Sequence, residues 1–217
     1  MKKLLLLPLA LVIATVSFSQ SETYTKAMEQ LVPSIDTARN VDALIKLTNS
    51  FQRIADAEKT QWLPYYYAAL SQVNAAYMIS MGKMGMAEKT DPMADKADEL
   101  LKKAESLSND NSEIYCVKKM IASLRLIGDP ENRYMVYGPA AMEALAKAKS
   151  LDPSNPRVTL LEAQDKLFTP ENYGGSKTEA KVLLEEAIKK FETFKPESGI
   201  HPRWGLTTAQ YFLTLAN

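Results

Sequence analysis

Beyond the first twenty residues, apolar positions recur three and four apart, and alternating runs of Val, Ile and Thr are missing. That periodicity predicts an all-α chain. Pro64, Pro92, Pro139, Pro156 and Pro202 each stand where a helix would open, since the first helical turn has no use for the N–H that proline lacks. Asp91 and Asn155 precede two of them as N-caps, and Ser176 with Glu179 forms a capping box at the head of "SKTEAKVLLEEAIKKF". The pattern places helices over 22–38, 41–57, 64–80, 92–107, 113–127, 139–150, 156–168, 176–193 and 202–215.

A spacing of four, three and five repeats along the chain: Ala97, Leu101, Ala104, Asn109; Ala141, Leu145, Ala148, Pro153; Ala180, Leu184, Ala187, Glu192; and, more loosely, Leu47, Phe51, Ile54, Lys59. Small residues at the first and third positions let a neighbouring helix approach closely, and the larger second residue fills the space between helices. Trp204 and Tyr211 stand seven apart. Both spacings resemble those of tetratricopeptide-repeat proteins, the first in the second helix of each repeat and the second in its first helix. The resemblance spans nearly all of residues 20–217. It implies an α-solenoid of about four helix pairs plus a final helix. Successive units start 50, 44 and 39 residues apart, longer than the family period of about 34, so loops are inserted between helices.

The segments "FQRIADAEKTQWLPYYYAAL", "LDPSNPR" and "FTPENYGGSKTEAKVLLEEAIKKFE" look like exported tetratricopeptide proteins of Gram-negative bacteria. "TPENYGGSKTEA" is also similar to the helical-repeat component of tripartite solute transporters. These resemblances imply an exported binding module, with small-ligand handling beside a transporter as an alternative.

The N-terminus sharpens the compartment. Lys2 and Lys3 precede an apolar run from Leu4 to Val16, followed by small polar residues. This reads as a signal peptide over 1–19, giving a periplasmic or secreted domain over 20–217 without stable membrane insertion. The apolar run is shorter than the roughly 20 residues a spanning helix needs. Without Lys2 and Lys3 the chain has 24 basic and 26 acidic residues, which gives no electrostatic reason to expect nucleic acid as partner. The lone Cys116 allows no internal disulfide.

Candidate chemistry is sparse. One histidine, His201, and one cysteine leave almost no material for zinc sites or nucleophilic pairs. The carboxylates in "DKADELLKKAE" and "EEAIKKFE" alternate with lysines as on a solvated helix face. No catalytic residue, enzyme activity or cofactor is therefore expected. "GGSKT" at 174–178 misses the phosphate-loop spacing and reads as a glycine turn into a capped helix. Recognition is expected instead from the aromatic segment "WLPYYYAAL". The family places adjacent first-helix residues on a concave wall, which nominates Tyr66 and Asn74, together with Trp204, for binding a protein or peptide partner. A second possibility is Cu(I) held by methionine. Of the five methionines in "MISMGKMGMAEKTDPM", Met78 and Met81 continue a helical face as core, while Gly82 and Gly85 leave Met84 and Met86 in a loop. Thioether sulfur suits Cu(I).

Overall fold

A computed structural model describes residues 22–80 and 83–217, and these form helices and turns with no strand. The signal peptide expected over 1–19 lies outside the described residues, as does Met81. A first helix, α1, covers 22–31, and a turn at 32–33 separates it from α2, Ser34–Thr37. Then follow α3, Val41–Glu58; α4, Trp62–Ser80; α5, Ala87–Leu107; α6, Ser112–Gly128; α7, Pro130–Leu151; α8, Pro156–Phe168; α9, Lys177–Thr193; and α10, Leu206–Ala216. A single 3₁₀ turn, Glu171–Tyr173, links α8 to α9. No helix among the described residues is long and apolar enough to cross a membrane.

Each helix from α3 onward packs on the next in sequence, and α4 with α6, α6 with α8, and α8 with α10 also touch. The α7–α8 contact is sparse compared with its neighbours. Helix α4 lies at the centre: residues 63–73 are buried without interruption, as expected of a helix apolar on all sides. The repeating small residues mark the tight approaches. Ala97, Leu101, Ala104, Ala148, Ala180, Leu184 and Ala187 are completely buried.

Caps fix several boundaries as the sequence predicts. Asn155 accepts from the Arg157 N–H, and Ser176 accepts from the Glu179 N–H. Proline misleads at three places. α5 opens at Ala87 with Pro92 inside it, and α7 opens at Pro130, capped by Asp129, with Pro139 inside it. An interior proline frees the carbonyl four residues earlier. Those residues, Glu88 and Met135, are exposed, which leaves solvent able to supply the missing donor. At the third, Pro202 does not open a helix. Gly205 adopts φ 116° and starts α10 only at Leu206, leaving Ile200, Pro202 and Trp204 as a buried plug ahead of it.

Surface charges pair along the helices as expected, with Lys102 on Asp98 at 2.9 Å and Lys190 on Glu186 at 3.0 Å. Other pairs join two helices, one of them in a bidentate geometry. Arg133 of α7 donates to both carboxylate oxygens of Asp91 of α5, each at 2.7 Å. The hydrogen-bonded guanidinium holds the Asp91 carboxyl below its usual range. A lowered carboxylate pKa contributes stability that is present above the unfolded-state pKa and is lost as pH falls through the folded-state value. Asp91→Asn should therefore lower stability by about 1 kcal/mol at neutral pH, the upper end for a partly exposed pair. In urea titrations the difference from the parent should vanish as pH falls below the usual carboxylate range.

Candidate functional site

Two of the residues nominated for partner binding belong to a buried polar network. Asn111 caps α6 by accepting from the Glu113 N–H, which directs the Glu113 side chain inward from the first turn. Its carboxylate accepts from the Tyr66 hydroxyl at 3.0 Å, from Asn155 Nδ2 at 2.9 Å and from Arg157 Nη1 at 3.0 Å. The Tyr66 hydroxyl in turn accepts from Trp204 Nε1 at 2.7 Å. Tyr67 beside it donates to the Ile200 carbonyl at 3.0 Å. Burial pushes the Glu113 carboxyl upward, opposed by the Arg157 charge and by the donors from Tyr66 and Asn155.

Arg157 is wholly buried, and its Nε and Nη2 have no hydrogen-bond partner. The guanidinium lies instead among three rings, 4.9 Å from Phe194, 5.4 Å from Trp204 and 5.7 Å from Phe191. Aromatic faces attract a desolvated cation and offset part of the missing hydration.

The expected exposure of Tyr66 is thus corrected: the ring is 0% exposed and Trp204 only 8%. A partner reaching either would have to open the core. Asn74 is half-buried, on the part of α4 where surface access returns. His201 lies in a turn rather than at a helix start, its Nδ1 2.8 Å from Ser198 Oγ and its Nε2 3.1 Å from Glu197. Cys116 is buried, and burial pushes its thiol well up, away from reactive thiolate.

Met84 is exposed in the loop before α5, and Met86 is half-buried at the residue preceding that helix. Between them Gly85 donates its N–H to the Ile127 carbonyl at 3.0 Å, fixing the loop on the end of α6. Met78 packs against the core.

Shallow open space occurs where α7 and α8 meet sparsely. A shallow cleft of about 350 Å³ is lined by Leu145 and Lys149 of α7, Glu162, Asp165 and Lys166 of α8, and Leu183 of α9. An adjoining hollow of about 300 Å³ shares Leu183 and adds Thr178, Glu179 and Val182. Two leucines and four charged side chains line the cleft. Lys149 pairs with Glu162 at 2.7 Å, and Lys166 with Glu179 at 2.6 Å. Asp165 is 2.5 Å from Lys119, a nearly buried lysine of α6. Met142, one turn before Leu145, and Val182 both stand well exposed. The sequence reading missed this cleft. Its one available signal was Val182, an apolar residue out of register with the buried face of Ala180, Leu184 and Ala187.

The turn after α8 sets the cleft's α9 wall. Ser176 N–H donates to the Lys166 carbonyl at 2.8 Å, and Lys166 Nζ donates to the Gly174 carbonyl at 3.3 Å. Gly174 is left-handed at φ 94°. A Cβ on Gly175 would fall 1.7 Å from the Thr169 carbonyl oxygen, a backbone clash that no side-chain rotation relieves. Gly175→Ala should cost about 1–3 kcal/mol, measured by urea unfolding. The glycine-turn reading of "GGSKT" agrees with this geometry.

Among the described residues no three His, Cys, Asp or Glu side chains are grouped as metal ligands. Neither a protein-family model nor a curated protein matches the chain. A solved structure does. The HusA haemophore from Porphyromonas gingivalis is 32% identical, with a TM-score of 0.77 over 89% of this chain and 92% of that one.

Proposed function

Because this chain belongs to the family of the HusA haemophore, we propose that it is an exported, non-enzymatic carrier whose cargo is haem. The observation that carries this reading is the likeness to a haemophore over nearly the whole of both chains. The cleft between α7, α8 and α9 is the proposed seat. Leu145 and Leu183 offer apolar surface to the macrocycle, and Lys149 and Lys166 line the same cleft to meet the carboxylates of a porphyrin. Both lysines are already paired, but pairs this exposed hold by about 0–1 kcal/mol, so a ligand carboxylate can exchange with Glu162 or Glu179 at small cost.

Titration of the purified chain with haemin tests this. A saturable shift of the porphyrin absorption band is expected, weakened at least tenfold in Leu183→Asp, whose buried charge would oppose an apolar ring. No saturable shift would rule the reading out, and equal affinity in Leu183→Asp would move the seat elsewhere.

A second reading has one observation in its favour. Contacts between α4 and α6, α6 and α8, and α8 and α10 follow the order of first helices in a tetratricopeptide-like solenoid. A row of that kind makes a wall that can accept a peptide, and Asn74 is the nominated residue with access to the surface. Peptide capture that survives Leu183→Asp and fails in Asn74→Ala would favour this reading.

A further inference from the structure

We infer that the outer face of α10 is a self-association surface, on which a second copy of this chain packs its own α10 antiparallel about a two-fold axis at Tyr211. The inference is independent of the cargo, because no residue of α10 lines either hollow between α7, α8 and α9.

Charge singles this helix out. Among the described helices only α4 and α10 contain no Asp, Glu, Lys or Arg. In α4 the reason is burial, since residues 63–73 are all enclosed. α10 has the same composition without the cover, and Ala209 is its one buried residue. It packs on α9 and more lightly on α8, while Thr207, Gln210, Tyr211, Thr214 and Leu215 face solvent. Tyr211 is 59% exposed and Leu215 41%. Rings in contact extend the patch to α8: Tyr211 lies 5.7 Å from Phe212, and Phe212 lies 5.1 Å from Phe168, itself 56% exposed.

The chemistry of the face selects its occupant. A charged side chain laid on it would be buried without a counter-charge, which is costly, so the partner has to be uncharged where it meets α10. Every described helix at the surface of this molecule carries charges except α10 itself, so a second α10 meets the condition. Tyr211 is the middle residue of Leu206–Ala216. A two-fold axis across the helix therefore sets Tyr211 against its own copy and Thr207 against Leu215, an isologous contact. That antiparallel order also places each helix N-terminus beside the partner's C-terminus, where the helix dipoles attract. An aromatic side chain with a polar tip at the centre of the patch suits the anchor position of such an interface.

Sedimentation equilibrium of the purified chain should show a monomer–dimer equilibrium, weakened at least tenfold in Tyr211→Asp and in Leu215→Lys. Both changes fall at exposed positions, and unchanged far-UV circular dichroism shows that each variant is folded. Cysteine pairing reads the geometry, and because Cys116 is buried the introduced thiols are the reactive ones. Under mild oxidation Tyr211→Cys should give a disulfide-linked dimer, and Thr207→Cys mixed with Leu215→Cys a linked heterodimer. Leu215→Cys alone should not link, since its two copies would stand roughly 12 Å apart along the axis, beyond the reach of a disulfide. A chain that stays monomeric at every concentration, undiminished association in both charged variants, or linkage as ready in Tyr173→Cys as in Tyr211→Cys would overturn the assignment. A monomeric chain that binds phosphatidylcholine vesicles, and loses them in Tyr211→Asp, would overturn it too and give the face to a lipid surface.

Discussion

Glu113→Ala is expected to lower the free energy of unfolding by about 3–5 kcal/mol, the range for removing one partner of a buried ion pair. The cost lies in what remains behind. Arg157 keeps its charge at 0% exposure, already with two nitrogens lacking partners, and now loses the carboxylate at 3.0 Å. The Tyr66 hydroxyl loses its acceptor, and Asn155 Nδ2 keeps only Ser112 Oγ, at 3.1 Å. Glu113→Gln preserves an acceptor and should fall between parent and alanine. Glu113→Leu combined with Arg157→Met should recover most of the loss, since replacing both partners by apolar groups removes the orphaned charge. Urea unfolding of the four chains reads this directly. A loss below about 1 kcal/mol in Glu113→Ala would mean that the pair is hydrated in solution.

Trp204→Ala should cost a similar amount, about 3–5 kcal/mol, as is typical for deleting a buried aromatic side chain. Its indole covers one face of the Arg157 guanidinium at 5.4 Å and donates to Tyr66 at 2.7 Å. Trp204→Phe keeps most of the apolar area and gives up one hydrogen bond, so about 1–2 kcal/mol is expected. Because Trp204 and Glu113 meet through Tyr66 and Arg157, the double variant Glu113→Ala/Trp204→Ala should lose less than the two single losses together. Strict additivity in the cycle would show that the two residues act independently.

The sequence was most informative where a residue's role depends on its own helix. Ala97, Leu101 and Ala104, like Ala180, Leu184 and Ala187, announce a buried stripe by size and spacing alone, and all six are buried. Asn155 and Ser176 cap the helices that follow them because capping is a contact over two or three residues. Pro92 and Pro139 were misread as helix starts because their tolerance depends on the exposure of Glu88 and Met135, which local pattern does not carry. Trp204 was placed on a first helix because it stands seven residues from Tyr211. Its position is decided instead by the left-handed Gly205 and by a hydrogen-bond partner 138 residues away. The cleft was illegible for a related reason. It is formed where two helices fail to pack closely, and a spacing rule predicts contacts rather than gaps.

The 138-residue span between Tyr66 and Trp204 also bears on the order in which the molecule assembles. Most helix contacts join neighbours in sequence, and such local pairs form quickly and early. The ring that closes over Arg157 must wait until residue 204 is in place, long after α4 to α8 can have paired. Until then the guanidinium lacks its Trp204 cover, so the early stack carries an incompletely sheltered charge between its layers. The C-terminal plug is thus the most sequence-distant contribution to the Arg157 surroundings, and contacts of that kind are slow to form because the intervening chain has to be ordered first.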